Sequence, residues 1–280
     1  MAKLKCAIIG CGRISYKHVE AIANNDDYLE LTAVCDVIEE RAVEKKNQYL
    51  EKYPDREVAV YTDYQEMIEK EDLDIAAIAT ESGYHGDIAI HCLEKDLHVM
   101  IEKPMAMTLE EIDAINDLGR KKNLKVAVCH QNRFNPPIQK LHKAVEEGKF
   151  GNLINGTARV LWTRDQHYYD LAPWRGTKAL DGGTLMNQCI HNLDLLLWMM
   201  NSPVVSVKAE RGTFMRNIEM EDYGVVLMRF ENGTIGTLEG SAVVYPKNLE
   251  ETLSIFGETG TAVIGGLAVT EIETWNFEDP

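Results

Sequence analysis

The sequence predicts an α/β chain in two parts. Residues 1–129 read as an N-terminal doubly wound parallel sheet, and residues 130–280 as an α+β domain with a large open antiparallel sheet. Three observations carry this. Short apolar runs alternate with helical patterns through the first half, as in a parallel sheet covered on both faces. The first run, Lys5 to Ile9, stops at Gly10-Cys11-Gly12 and passes directly into a helix. After His130 the pattern changes to longer alternating runs joined by turn signals such as Glu231-Asn232-Gly233.

The opening turn justifies the first element. Gly10 can take a tight turn, and Gly12 has no side chain to hold an anion off the backbone. The N–H groups and positive dipole end of the following helix then face that anion. The third small position is Ser15, so the pattern is G-x-G-x-x-S. The next strand, Leu29 to Cys35, ends at Asp36, where a ribose hydroxyl would need an acceptor. Asp36 either accepts from that hydroxyl or caps the helix starting near Glu39. Strand, glycine turn, helix, strand and acid in this order predict a Rossmann dinucleotide site.

Glu39 to Tyr53 then reads as an exposed helix, and Val58 to Tyr61 as a short strand. Asp63 caps a helix to Lys70. Ile75 to Ala79 is apolar throughout, as a strand buried on both faces should be. The loop Thr80 to His85 leads into a helix to Glu94. His98 to Ile101 is a strand closed by Glu102-Lys103-Pro104. Thr108 and Glu111 form a capping box for a helix to Asn123, and Lys125 to Cys129 closes the set. In the second part, a helix from Pro136 to Glu147 precedes runs at 153–161, 204–212, 222–230, 235–242 and 251–256. One helix, Gly183 to Met200, interrupts them.

Composition narrows the function. The 280 residues carry a net charge of −16 and are 45% hydrophobic. A surface that negative repels nucleic acid and anionic membranes, so any anionic ligand must be held by a few local cations. No apolar run reaches the ~18 residues of a membrane span. The N-terminus leads straight into a strand, with no secretion signal. Six scattered cysteines without C-x-x-C spacing read as reduced core thiols, which places the chain in the cytoplasm. Histidines and carboxylates show no metal-ligand spacing, so no metal is expected.

Three constellations can carry chemistry. Lys103 ends a parallel strand, on the edge where ligands bind in open α/β sheets. It is either held toward that crevice by Pro104 or an ordinary surface lysine before a turn. In Asp181 to His191, a glycine pair can start the helix near a ligand, and Asn187 and His191, four apart, share a face. His191 is either a hydrogen-bonded core residue or a base. Trp162 to Tyr169, with Trp174 and Arg175, places arginines among aromatics, which suits a ligand with phosphates and a flat ring. The plain alternative there is a surface loop with anchoring aromatics.

Together these pieces resemble the Gfo/Idh/MocA oxidoreductase family over the whole chain. Within it the chain is similar to the UDP-N-acetylglucosaminuronate 3-dehydrogenase subgroup of bacterial O-antigen (lipopolysaccharide) biosynthesis. The strings that carry this are Arg133 to Pro136, Trp162 to Asp170, Trp174 to Thr177 and Gly182 to His191. Asn187 stands where many family members have Asp, in keeping with the subgroup. Family chains usually run further than Pro280, which suggests a missing terminal strand or helix.

The resemblance implies Lys103 and His191 as catalytic residues and NAD as cofactor. It implies cofactor contacts at Gly10, Gly12, Arg13, Ile14, Asp36, Thr80, His85, Glu102, Lys103, Gln131, Trp174 and Arg175. It implies contacts to a UDP-sugar substrate at Lys103, Arg133, Arg164, Tyr168, Tyr169, Asn187 and His191. It also implies a cis Lys103–Pro104 bond and a homotetramer associating through the open sheet, for which Val226, Met228, Ile235, Thr237, Val243 and Val244 supply apolar surface. The expected reaction is oxidation of a sugar 3-hydroxyl. His191 takes the proton, which an imidazole can do at neutral pH, and Lys103 stabilises the developing alkoxide. The alternatives are a dehydrogenase of a free polyol or inositol, a non-catalytic NAD-binding regulator, and a redox-neutral glycosidase using NAD transiently.

Overall fold

Strand β1 (Leu4–Ile9) is apolar on both faces toward its end, and Cys6 to Ile9 are buried. That pattern needs a strand on each side, and β1 has them: β2 (Leu29–Cys35) and β4 (Ile75–Ile78) both pair with it in parallel. The structure, a computed structural model, describes residues 2–278. The chain divides into two units, Met1–Cys129 and His130–Pro280.

In the first unit, α1 (Ser15–Asn24) follows β1, and α2 (Glu39–Leu50), β3 (Ala59–Tyr61) and α3 (Tyr64–Lys70) follow β2. After β4 come α4 (His85–Glu94), β5 (His98–Ile101), α5 (Leu109–Lys122) and β6 (Val126–Val128). The sheet order is β3-β2-β1-β4-β5-β6, and every pairing is parallel. The order reverses between β1 and β4, which makes the carboxyl ends of those strands the ligand crevice. The caps read from sequence are present. Asp63 accepts from the Gln65 and Glu66 N–H groups at α3, and Thr108 and Glu111 form the capping box of α5. Separate cores cover the two faces, one around Ile78, Leu93 and Ile115, the other around Ile8, Leu31 and Tyr49.

The second unit holds α6 (Pro136–Glu146), β7 (Leu153–Leu161), α7 (Gln166–Asp170), α8 (Gly183–Asn187), α9 (Ile190–Met200) and strands β8 (Val204–Gly212), β9 (Tyr223–Phe230), β10 (Ile235–Ser241), β11 (Glu250–Gly257), β12 (Gly260–Gly265) and β13 (Glu271–Phe277). Its seven-stranded sheet runs β13-β12-β11-β7-β10-β9-β8. It is the large, mostly antiparallel sheet expected, with one parallel pairing, β7 with β10. Two expectations are corrected here. The helix expected over 183–200 is two helices. The Gln188 and Cys189 N–H groups both turn back to the Thr184 carbonyl, and this shared acceptor closes the first helix. This break lets Leu185 and Cys189 press on Gly240, where an added Cβ would lie 2.5 Å from the Cys189 sulfur. Asn187 and His191 therefore sit on different helices.

The second correction concerns the open face. Register places Leu238 opposite Val226 and Gly236 opposite Met228, on the side covered by α9, and Met228 is 3% exposed. The uncovered face carries Ile235 and Thr237 as expected, but Val225 and Leu227 in place of Val226 and Met228, with the Arg159–Glu239 and Arg159–Glu250 ion pairs. Val243 and Val244 lie beyond β10 and outside the sheet.

Candidate functional site

The glycine turn is built by close approach. Gly10 has φ +91°, and a Cβ there would lie 2.6 Å from Ala79 C and Thr80 N. Any other residue would push β1 away from the end of β4. A Cβ on Gly12 would meet nothing within 4 Å, so the space over that turn is open, as a pyrophosphate requires. Ser15 is not a mere substitute for glycine: it is fully buried, and its hydroxyl donates to the Gly12 carbonyl at 2.7 Å, pinning the turn. Arg13 and Ile14 are exposed on the rim.

Asp36 does not cap α2, whose N-cap is Ile38. Its Oδ2 accepts from the Cys11 N–H at 2.8 Å and its Oδ1 from the Ile38 N–H at 2.9 Å. The acid at the end of β2 thus holds the glycine turn at the end of β1. These features fit NAD: a cradle closed by Gly10, free backbone over Gly12, and a carboxylate with lone pairs to spare.

At the far side of β4, His85 is 1% exposed, and its two ring nitrogens face the Pro104 carbonyl at 2.7 Å and the Thr80 carbonyl at 3.1 Å. The ring thus sits between the loop after β4 and the Glu102-Lys103-Pro104 turn, and as a neutral imidazole it donates to one of the two carbonyls. The sequence reading gives His85 a cofactor contact and does not foresee this bracing. The Lys103–Pro104 bond is cis, as is Tyr245–Pro246. Glu102, immediately before Lys103, accepts from His18 on α1 at 3.0 Å. His18 was absent from the sequence-based site. The signal for it is a histidine in the first turn of the helix after the glycine loop, on the same side as buried Val19 and Ile22.

In the second unit, His191 lies in the first turn of α9, its ring 5.6 Å from that of His130 in an edge-on contact, with Gln131 Nε2 3.5 Å from its Nε2. Asn187, at the end of α8, donates to Asp181, six residues earlier in the chain, so a carboxylate fixes this amide. Arg133 is largely committed. Its Nε and Nη2 donate to Asp194 at 2.7 and 2.6 Å, and its guanidinium rests on Trp198. That bidentate pair leaves little of its fork for a sugar. Sequence alone did not pair Arg133 with Asp194, 61 residues away.

The Trp162–Arg175 stretch forms a ladder. Arg164 lies over Trp162 at 4.7 Å and Tyr168 at 5.4 Å, and Arg175 over Tyr168 at 4.2 Å and Trp174 at 4.8 Å. Asp165 caps the short α7 that lifts Tyr168 between the two arginines. Among the described residues, neither Arg164 nor Arg175 makes an ion pair with a carboxylate, which is notable in a chain of net charge −16. Tyr169 instead turns inward: it is 6% exposed, and burial pushes its hydroxyl up to about 12. Its ring and Arg175 help line a cavity of about 370 Å³ that also meets Asn217 and Glu219.

Behind His191, Asn192 is fully buried on α9, and Glu251 of β11, 3% exposed, lies beside it. Burial pushes the Glu251 carboxyl up to about 7 from 4.5, and Asn192 pulls it back only in part. The folded protein therefore holds this proton more tightly than the unfolded chain does. Stability is fully present below pH 4.5 and falls as pH rises to about 7. The loss amounts to roughly 3 kcal/mol. Glu251→Gln should flatten that slope and raise Tm above wild type at pH 8 but not at pH 5. Parallel Tm–pH curves for the two proteins would contradict this.

No helix among the described residues is long and apolar enough to cross a membrane. Comparison with known proteins places the geometry in context. Residues 4–130 match the oxidoreductase family, NAD-binding Rossmann fold, and residues 138–263 the GFO/IDH/MocA C-terminal domain. The WlbA dehydrogenase from Bordetella pertussis, solved in complex with NADH and UDP-GlcNAcA, is 37% identical with a TM-score of 0.93, covering 100% of this chain and 83% of that one. Myo-inositol 2-dehydrogenase from Thermotoga maritima is 27% identical over 92% of this chain and 74% of its own length. The NAD(+)-dependent scyllo-inositol 2-dehydrogenase of Bacillus subtilis is 26% identical over 95% and 75%.

Proposed function

The chain belongs to the GFO/IDH/MocA oxidoreductase family and is an NAD-binding oxidoreductase, and from that premise we propose that it oxidises the 3-hydroxyl of a UDP-linked N-acetylated amino-sugar acid. The observation that carries the substrate class is the Arg164–Tyr168–Arg175 ladder, two arginines without a carboxylate ion pair among the described residues of a strongly acidic chain. Such cations are available to a ligand's phosphates or carboxylate. The full-length likeness to a dehydrogenase solved with UDP-GlcNAcA supports the same reading.

Gly10, Gly12 and Asp36 hold the NAD, which when bound supplies the hydride acceptor. Lys103 donates to the sugar hydroxyl and stabilises negative charge developing on its oxygen. His191 accepts the hydroxyl proton at neutral pH. Arg164 engages the diphosphate or the uronate, with Tyr168 presenting a ring for stacking. Arg175 and Trp174 serve the cofactor side, and Asn187 orients the sugar.

The direct test is NADH formation with UDP-GlcNAcA against neutral UDP-GlcNAc and against free inositols, with the oxidised product identified by mass. The second reading, a free-polyol dehydrogenase, is favoured by the inositol dehydrogenase relatives. It would show turnover of inositols and no calorimetric binding of UDP.

Arg164→Ala should raise KM for the UDP-sugar acid by about 10- to 100-fold, the range of one bond to a charged group, and far less for an analogue lacking the contacted anion. Equal weakening of every substrate would move the free-polyol reading ahead.

A homotetramer belongs to the same proposal. Val225 and Leu227, on the uncovered face of β9, are 37% and 44% exposed and give such an interface some apolar area. Light scattering at micromolar concentration should give four times the chain mass; a monomer mass would refute it.

A further inference from the structure

Behind Lys103 lies a buried group that the reaction itself does not use. His18, 6% exposed on α1, places Nε2 3.0 Å from Glu102 Oε1. Cys129, at the end of β6, belongs to the same cluster: one ligand-type atom from each of His18, Glu102 and Cys129 lies within 4.8 Å of the others. Side chains from α1, the turn after β5 and the end of β6 thus converge on one carboxylate. Taking the proposed role of Lys103 as given, we propose that His18 is a positioning residue for Lys103, clamping the Glu102 carboxylate that anchors the Glu102-Lys103-Pro104 turn.

The charge pattern fits a clamp. Burial alone drives the Glu102 carboxyl up, but the His18 hydrogen bond and charge, together with Lys103, bring it below the ordinary 4.5. An ionised carboxylate has only acceptors, so His18 Nε2 carries the proton it shares. Cys129 is pushed up to about 12, first by burial and then by Glu102, so it faces Glu102 as a thiol and donor. A divalent cation would need the opposite: a thiolate and a deprotonated imidazole nitrogen. His18, Cys129 and Lys103 are the groups that act on Glu102, from α1, the end of β6 and its own turn.

The clamp also joins two functions. His18 sits in the first turn of the helix that begins at the glycine loop, so the same helix that faces the pyrophosphate braces the residue before Lys103. His85 braces the residue after Lys103, through the Pro104 carbonyl. Lys103 is therefore held from both sides along the backbone.

His18→Leu removes the donor, and His18→Gln keeps one. His18→Leu should lower kcat on the order of 10- to 100-fold, the range for one bond to a charged group, while NADH binding to the protein without sugar stays within about threefold. His18→Gln should recover most of kcat. In protein without cofactor, the Glu102 carboxyl titration, followed by carbon NMR, should move up toward neutral pH in His18→Leu, and the acid limb of the kcat–pH profile should follow it. Cys129→Ala should shift both in the same direction, less strongly. An unmoved Glu102 titration in His18→Leu overturns the clamp, whether or not Lys103 proves catalytic. Equal losses in His18→Leu and His18→Gln with a lowered Tm also overturn it, by making His18 merely structural.

Discussion

Lys103→Ala and His191→Ala should each lower kcat by at least about 10²-fold, with NADH still bound. The expectation rests on what each group supplies only in the transition state. An ammonium beside a developing alkoxide stabilises charge that the ground state lacks, so its loss falls on kcat more than on KM. Loss of the imidazole removes the proton acceptor, and water replaces it poorly. The double variant should fall little below the worse single one, because groups that act as a unit are not additive. Both substitutions leave the glycine turn and Asp36 untouched, so a fluorescence titration with NADH separates chemistry from binding. Full turnover in either variant would remove the role assigned to it.

Much of this site was legible in the sequence, because it lies where local signals are strong. A strand, two glycines at fixed spacing and an acid at the end of the next strand specify one half of the site with no long-range information. Caps at Asp63 and Thr108 are equally local, and both are present. What stayed hidden depends on partners far apart in the chain. Arg133 looked available because nothing near it in sequence is its counterion, and Asp194 claims it. Asn187 and His191 looked like one helix face because i, i+4 spacing is periodic whether or not the helix continues. The break comes from Cys189 and Leu185 seeking Gly240 across the sheet. His18 was silent for the same reason, since its partner lies 84 residues away. On β9 the outer face was misjudged by one residue, and in a strand one residue exchanges the two faces, whereas Ile235 and Thr237 of β10 lie on it as expected.

Asp36 carries the second large effect. Its carboxylate offers about four lone-pair sites, and the Cys11 and Ile38 N–H groups occupy two of them. The remaining sites can accept from ribose hydroxyls, while the charge repels a 2′-phosphate. The two residues after it, Val37 and Ile38, supply no cation to offset that repulsion, and they are 86% and 41% exposed. NAD should therefore bind far more tightly than NADP. Asp36→Ala removes the ribose acceptor and releases the Cys11 amide at once, so the glycine turn loses a brace as well as a contact. NAD affinity should drop by on the order of 10²-fold, the upper end of what one charged hydrogen bond is worth. Asp36→Asn keeps one acceptor oxygen and removes the charge, so it should cost NAD less and gain NADP. The ratio of the two Kd values should then approach unity, and adding Ile38→Arg should tip it toward NADP. If wild-type protein bound NADP more tightly than NAD, or if Asp36→Ala left the ratio unchanged, the acid would be bracing the turn without reading the ribose.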